Sequence, residues 1–322
     1  KERLMDVSRF FAAGVTSIHD LGGYLERMQA LQRDLAAGTA AGPTIYPAYF
    51  MLNGESFADY QHVTNTETDV AAAIDALANA GAAQVKVHRA LSPDVLPVVV
   101  HHSRERGLRV TGHIPLGTHP LDGCRQGMAG IEHVGSFVEA LVSVGPGEAY
   151  GSRQALEYLL SDAARPMYDC LADNAVTVTP TLVIYPAIAN RRAQGEEWPQ
   201  EFVDFIDSMK QIARRLHDAG VPLLVGTDTS DLEGSVEVAP GAAVLDEMQM
   251  LEDAGIPALA VLRMATRNPA EAIGAGEHSG SIEPGKAADF LMLSDDPGET
   301  VRNLRSLDRV FKGGELVYAS EL

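Results

Sequence analysis

The sequence predicts an α/β fold of the (β/α)₈ TIM-barrel type, carrying a small additional β-sheet unit. Three observations lead to this prediction. From residue 13 onward, short β-branched runs alternate with longer Ala/Leu-rich segments, which is typical of βαβ units and a parallel sheet. The chain has 322 residues, enough for one barrel domain. After residue 270 the pattern changes to Gly/Pro turns and short apolar runs.

Seven strand-and-helix units are predicted in residues 1–270, one short of the eight strands of a closed barrel. The predicted strands are 14–20, 43–49, 83–88, 108–113, 130–133, 176–181 and 221–228. The predicted helices are 25–37, 70–80, 93–106, 121–127, 153–174 and 201–219. A doubly wound open sheet has the same alternation of strands and helices, so periodicity alone leaves both architectures open.

Residues 271–322 predict strands of a second, smaller domain. A Gly/Pro-rich turn at 280–288 leads into an apolar strand, and residues 309–318 form a hairpin pattern around Gly313 and Gly314. A few strands of this kind cannot form a core alone. We therefore expect a small β-sandwich contributed by the chain ends, next to a barrel domain over 1–270.

Composition excludes several classes of function. The formal net charge of −19 argues against a nucleic-acid or anionic-membrane surface. The longest apolar stretches are far shorter than the ~20 residues that cross a bilayer. Cys124 and Cys170 are too few for a disulfide framework, and we expect two ordinary half-buried thiols. Residues 1–6 show neither a signal peptide nor an initiator Met, which leaves the compartment open between cytoplasmic and periplasmic or secreted.

Ionisable residues end most of the predicted strands. In a parallel barrel the carboxyl ends of the strands carry the functional groups. Imidazoles and carboxylates without thiols favour zinc or manganese over a sulfur-bound metal. Taken singly, each histidine or aspartate is also explained as a hydrogen-bonded or turn residue, whereas a lysine inside an apolar strand is rare. The strand-end residues are Asp20, Lys86, His88, His113, His133 and Asp228.

An ordered set of motifs resembles the amidohydrolase superfamily, and most closely its prolidase-like and imidazolonepropionase-like branch. Residues 14–23 are similar to the family's second-strand segment, and Lys86 lies in a segment that resembles its fourth strand. His113 and His133 match the metal histidines of the fifth and sixth strands. Asp228 matches the aspartate of the eighth-strand Gly-Thr-Asp. The segments 268–270 and 285–289 resemble the family's carboxy-terminal signature.

The resemblance implies a metal-dependent hydrolase with one or two divalent ions, zinc first, with manganese, cobalt or iron as alternatives. It assigns Lys86 as a carboxylated bridging ligand, His113 and His133 as imidazole ligands, and Asp228 as ligand and general base, then acid. The implied substrate is a small molecule with an amide-type C–N bond, such as a Xaa-Pro dipeptide, an N-acyl amino acid or a cyclic amide. Three residues in or just after strand-end loops are expected to contact the substrate: His88, His119 and Tyr185.

One feature of the family pattern lies outside this sequence. Family members begin with a β-sandwich segment and a first strand ending in His-x-His, and neither is present here. We therefore expect the chain to begin inside the fold.

Two alternatives stay open: another reaction on the same fold, such as deamination or lactone or ester hydrolysis, and a non-catalytic binding protein. A Rossmann-type enzyme is disfavoured because no Gly-rich phosphate loop follows a strand. Many relatives form homo-oligomers, but nothing in the sequence fixes an interface.

Overall fold

Short parallel strands with helices between most of them form the larger part of the fold. The computed structural model describes residues 7–146, 151–193, 195, 197–230 and 238–320. Its first eight strands are β1 (Ser17–Asp20), β2 (Thr44–Pro47), β3 (Met51–Asn53), β4 (Gln61–Val63), β5 (Val85–Val87), β6 (Val110–Gly112), β7 (Gly130–Glu132) and β8 (Thr177–Thr179).

The helices surround these strands, and their bounds follow from local capping and packing signals. They are α1 (Leu25–Ala36), α2 (Glu67–Ala80), α3 (Leu96–Glu105), α4 (Pro120–Arg125), α5 (Val134–Val144), α6 (Ser152–Leu159), α7 (Arg165–Asp173), α8 (Ile184–Ala193), α9 (Gln200–Asp218), α10 (Ala242–Asp253), α11 (Ala258–Met264) and α12 (Arg267–Ala272). Helix α2 shows how the sequence sets such bounds. Thr66 and Asp69 form a reciprocal capping box at its start, and Gly81 ends it with φ 78°.

Successive strands along the chain are neighbours in space. β1 pairs with β2, β3 with β5, β5 with β6, and β7 with β8, all in parallel. The N–H of Ala129 donates to Val110 O at 2.7 Å and joins β6 to β7. Leu223 forms a parallel bridge with Val178 of β8. A doubly wound sheet would reverse this order at a switch point, so the sequential order favours the barrel. Six of the seven predicted strands are confirmed; in the seventh, predicted at 221–228, only Leu223 pairs, as a single bridge.

The central strands are enclosed on both faces. Every residue of β5, β6, β7 and β8 is buried, as expected for parallel strands covered by helices. Most of these residues are aliphatic or Thr, which suits a buried pleated strand. A charged residue placed in one of these strands is therefore held away from bulk water, where it needs an internal partner.

One predicted helix is divided in the structure. The single helix predicted at 153–174 is two helices, α6 and α7, separated by a short 3₁₀ turn at Asp162–Ala164. Ser161 caps this turn through its side chain, and Pro166 lies at the start of α7, where a proline is tolerated.

Several elements have no counterpart in the prediction: helices α5, α8, α10, α11 and α12 and strands β3 and β4. Helix α5 shows one reason. Four of its eleven residues are valine, which lowers helix propensity and hides a helix that packing stabilises.

The expectation of two free thiols is wrong. Cys124 of α4 and Cys170 of α7 form a disulfide, with their Cα atoms 6.5 Å apart and 46 residues between them in sequence. Because α4 packs against α7, tertiary contact brings together two residues that local sequence does not connect. The chain-entropy model values the closure of such a loop at about 4 kcal/mol.

A three-stranded antiparallel sheet forms the carboxy-terminal part of the chain. Its strands are β9 (Phe290–Leu293), β10 (Leu307–Lys312) and β11 (Glu315–Ala319), in the order β11-β10-β9. The predicted hairpin is confirmed, and both turn glycines, Gly313 and Gly314, have positive φ, as a tight hairpin requires. The Lys312 ammonium donates to Thr44 Oγ1 at 2.6 Å, so this sheet contacts the barrel beside β2. Among the described helices, none combines the length and apolarity needed to cross a bilayer.

Candidate active site

Lys86 and Glu132 are two buried, oppositely charged residues that influence each other electrostatically. Lys86 of β5 is 3% exposed and Glu132 of β7 is 5% exposed. Burial lowers the pKa of Lys86, while the charges of Glu132 and Asp228 oppose that shift. Burial alone would raise the pKa of Glu132, but Lys86 and hydrogen bonds from Thr111 and Thr179 bring it below its ordinary value. The Thr111 hydroxyl donates to Glu132 Oε1 at 2.6 Å. Glu132 is therefore an internal counter-charge for the buried lysine.

Three imidazoles lie side by side where β5, β6 and β7 end. The ring centroids of His88 and His113 are 4.4 Å apart, and those of His113 and His133 are 4.7 Å apart. Gly112 makes this arrangement possible: it has φ 139°, and a Cβ there would meet Val87 O at 2.0 Å. Only glycine fits that conformation and that close approach. Three of the predicted site residues are thus brought together by adjacent strand ends.

Burial keeps these rings in the neutral form. It lowers the pKa of His88 to about 4, with Lys86 adding to the shift, and holds that of His113 well below its usual value. Burial also lowers the pKa of His133, although the negative charge of Asp228 opposes it. A neutral imidazole keeps a lone pair available for a metal or a hydrogen-bond donor.

His19 of β1 belongs to the same cluster. Burial lowers its pKa to about 4, opposed by Glu132 and reinforced by Lys86, so its ring lies within electrostatic reach of both charges. β2 lies between β1 and β5, and β6 lies between β5 and β7. His19, Lys86 and Glu132 therefore come from alternate strands, as the side chains of one interior barrel layer do. The sequence prediction did not single out His19 or Glu132.

Asp228 follows the strand segment that contains Leu223. The residue is exposed and has φ 51°, a left-handed conformation that Asp and Asn tolerate better than most residues. Its charge raises the pKa of both Lys86 and His133. The Asp228 carboxylate is thus accessible from solvent and within electrostatic reach of the lysine and of one histidine.

The donor chemistry at this mouth suits a divalent metal. His19 Nε2, His88 Nδ1 and His113 Nδ1 are buried and have no hydrogen-bond partner, although buried polar atoms are normally satisfied. In the described part of the chain, no three His, Cys, Asp or Glu side chains form a group that could hold a metal ion. A metal at this mouth therefore needs Lys86 in a ligating form or a donor from outside the described residues.

The other predicted contact residues have local partners. His119 caps α4, and its Nδ1 accepts the N–H of Leu121 at 3.2 Å. The Tyr185 hydroxyl accepts the N–H of Gly135 at 2.9 Å, and burial raises the pKa of that tyrosine. Asp20 Oδ1 accepts the N–H of Gly22 at 3.3 Å and holds the turn after β1. The structure thus joins His88 to the histidine cluster, whereas the substrate contacts of His119 and Tyr185 stay predictions.

The buried histidines predict acid sensitivity of the metal-free protein. His19 and His88 have folded-state pKa values of about 4, against an ordinary value of 6.5. Between these values the unfolded chain binds protons that the folded chain does not. The free energy of unfolding therefore decreases as the pH falls, by at most about 1.4 kcal/mol per pH unit for each histidine. Glu247, with its pKa raised to about 8 from 4.5, has the opposite effect between those two values.

Urea denaturation of the chelator-treated protein at several pH values between about 5 and 7 measures this dependence. His88→Gln is expected to make the free energy of unfolding less steep in pH than in the wild type. His101→Gln is the matched control, because the side chain of His101 is 67% exposed. An identical slope in wild type and His88→Gln would contradict the buried, neutral state of His88.

Comparison with known proteins shows the family of the chain. The model of the amidohydrolase family matches residues 6–317. An imidazolonepropionase of Thermoplasma acidophilum is 34% identical over 112 residues, which cover 33% of this chain and 26% of that protein. The match therefore spans about a quarter of that curated relative.

Solved structures share the fold at low sequence identity. A Xaa-Pro dipeptidase with bound methionine superposes with a TM-score of 0.71 at 20% identity, covering 98% of this chain and 78% of that chain. The bottromycin amidohydrolase AH gives a TM-score of 0.76 at 22% identity, with 97% and 73% covered. These similarities confirm the predicted barrel class and the expected branch. Because the family model matches nearly the whole chain, the protein belongs to the amidohydrolase family.

Proposed function

We propose that this protein is a metal-dependent hydrolase that cleaves an amide-type C–N bond. The observation that carries the proposal is the common location of Lys86, three neighbouring imidazoles and the accessible Asp228 carboxylate. Membership of the amidohydrolase family and the similarity to an imidazolonepropionase support the same reaction class.

Lys86, His113, His133 and Asp228 are the residues that would hold one or two divalent ions. An ammonium cannot ligate, so Lys86 takes part as a carbamate formed by its amine with CO₂. Burial lowers the pKa of Lys86, which increases the share of unprotonated amine able to react. When bound, zinc or a similar ion activates water and polarises the scissile carbonyl.

Asp228 moves the proton in this mechanism. Its carboxylate accepts a proton from the attacking water and delivers it to the nitrogen of the breaking C–N bond, so the two products are a carboxylic acid and an amine. The exposure of Asp228 allows both water and substrate to reach it. His88, next to His113, is the best-supported substrate contact. Tyr185, near the start of α8, and His119, directly before α4, are the other two candidates for substrate contact.

The proposed substrate class is a small amide: a Xaa-Pro dipeptide, an N-acyl amino acid or a cyclic amide. A solved structure with the same fold is a Xaa-Pro dipeptidase, and a curated relative is an imidazolonepropionase. The cluster of neutral imidazoles offers polar contacts to a carbonyl or ring nitrogen without adding a fixed charge.

Metal quantification combined with a hydrolysis panel tests the proposal. Purified protein is loaded with zinc or manganese, its bound metal is measured, and it is offered Xaa-Pro dipeptides, N-acyl amino acids, cyclic amides and lactones. We expect bound metal and amide turnover that a chelator removes and metal restores. Turnover of lactones but not of amides would indicate that this protein catalyses a different reaction on the same fold. Protein that binds neither metal nor substrate would support the non-catalytic alternative.

A further inference from the structure

The tautomer of His133 is fixed by one hydroxyl. His133 Nδ1 lies 2.8 Å from Thr181 Oγ1, and the same Oγ1 lies 2.8 Å from the carbonyl oxygen of Pro180. A hydroxyl has one hydrogen, and a carbonyl can only accept. The Thr181 hydroxyl therefore donates to Pro180 and accepts from Nδ1–H of His133. The remaining lone pair of the imidazole is then on Nε2.

The turn that presents Thr181 is held in an unfavourable conformation. Thr181 has φ 51°, in the left-handed region, where a non-glycine residue costs about 1–2 kcal/mol and a β-branched one is an outlier. His133 has φ 69°. Two strained residues on neighbouring strand ends thus meet through one hydrogen bond. Conformations of this kind persist only where surrounding contacts enforce them.

Glu247 supplies such a contact from the helix layer. This residue of α10 is 0% exposed, and its Oε2 accepts the N–H of Val183 at 2.8 Å, two residues beyond Thr181. The peptide N–H groups of Thr181 and Leu182 also favour the charged form of this carboxyl. Its Oε1 is buried without a partner. This buried carboxyl is thus held by peptide N–H groups of the loop after β8. One of its oxygens stays unsatisfied, which is costly for a buried group.

We propose that Glu247 is a positioning residue that holds the 181–183 turn. In that position Thr181 keeps His133 as the Nδ1–H tautomer, which leaves the Nε2 lone pair available to bind a metal ion. The inference rests on the proposed function for its catalytic meaning, since His133 is there a metal ligand. It adds two residues, Glu247 and Thr181, that the sequence pattern of strand-end ligands does not contain. Outer partners of a ligating histidine typically change metal affinity by about 10- to 100-fold.

The first measurement is the tautomer itself. Two-bond ¹H–¹⁵N spectra of the full chain, without added metal, distinguish a protonated Nδ1 from a protonated Nε2, and the His133 signal is identified by its loss in His133→Gln. We expect Nδ1–H in the wild type and in Thr181→Ser, and a mixture in Thr181→Val, which keeps the shape and removes the hydroxyl. A wild-type His133 protonated on Nε2 would overturn the inference.

Glu247→Gln and Glu247→Met form the second matched pair. Gln keeps an acceptor for the Val183 N–H, whereas Met has a similar size and none. We expect Gln to retain the tautomer and Met to lose it. If Met retains the wild-type tautomer, Glu247 is not a positioning residue. Because the tautomer is read without metal, these outcomes stand even if the protein binds no metal and the proposed function fails.

Titration with Zn²⁺ alone then measures the consequence for ligation. We expect Thr181→Val and Glu247→Met each to raise the Zn²⁺ Kd by about 10- to 100-fold, while Ser and Gln stay near wild type. The double variant should be no weaker than Thr181→Val, since both changes act through one hydroxyl. Additive losses in the double variant would show that Glu247 acts by a separate route and would overturn the relay.

Discussion

Lys86→Ala is expected to remove divalent-metal binding at the barrel mouth and to lower kcat/KM by more than about 100-fold. Loss of an outer partner of a ligand already costs about 10- to 100-fold, and here the anionic ligand itself is removed. Metal content by elemental analysis and kcat/KM for the best amide of the panel measure the two effects. Short carboxylates such as acetate or propionate are expected to restore part of both, because they supply a carboxylate oxygen in the vacated space.

Folding is the control that this substitution needs. In the metal-free protein, where Lys86 is an ammonium, its removal leaves Glu132 as an unpaired buried charge, which typically costs about 3–5 kcal/mol. The double variant Lys86→Met/Glu132→Gln removes both charges and is expected to recover most of that stability without recovering metal. Lys210→Ala, on α9, is the control for loss of a lysine elsewhere. Full metal content and full activity in Lys86→Ala would contradict the bridging role.

The parts of the site that sequence predicts are those that follow strand periodicity. Lys86 and His113 come in or shortly after β-branched residues, and His133 follows Gly130-Ile131-Glu132. Neighbouring parallel strands then bring them to the same edge. The strand positions are predicted for the same reason, because buried parallel strands read as short apolar runs. The end of α2 is predicted at residue 80, directly before Gly81, whereas its start, capped by Thr66, lies three residues before the predicted residue 70.

The parts that sequence does not predict depend on contacts between distant elements. Glu247 reaches the site only because α10 packs behind the loop after β8, 64 residues away along the chain. The Cys124–Cys170 disulfide likewise depends on the packing of α4 on α7. Glu132 could have been predicted from the sequence. Like Lys86, it is a charged residue in a buried apolar strand, and a buried charge is expected to have an opposite charge as its partner.

Asp228→Asn is expected to lower kcat by about 10²- to 10⁴-fold, the usual contribution of general acid–base catalysis. The substitution suits the position, because Asn adopts the left-handed conformation found there, φ 51°, about as readily as Asp. The change therefore removes the proton acceptor while the backbone and side-chain shape stay the same. Initial rates with saturating substrate, on enzyme whose metal content has been measured, give kcat directly.

Metal content separates the two roles assigned to Asp228. If Asp228→Asn keeps its metal and loses kcat, the carboxylate acts mainly in proton transfer; if it loses both, ligation is its main role. Asp94→Asn is the matched control, since Asp94 is also exposed and follows the end of β5, and it should leave kcat unchanged. Asp228→Asn also removes a negative charge that raises the pKa of Lys86 and of His133. Both groups then lose a proton more readily, which makes them more available for ligation. A fall in kcat with full metal content would assign the loss to the proton that Asp228 carries, whereas unchanged turnover would remove Asp228 from the mechanism.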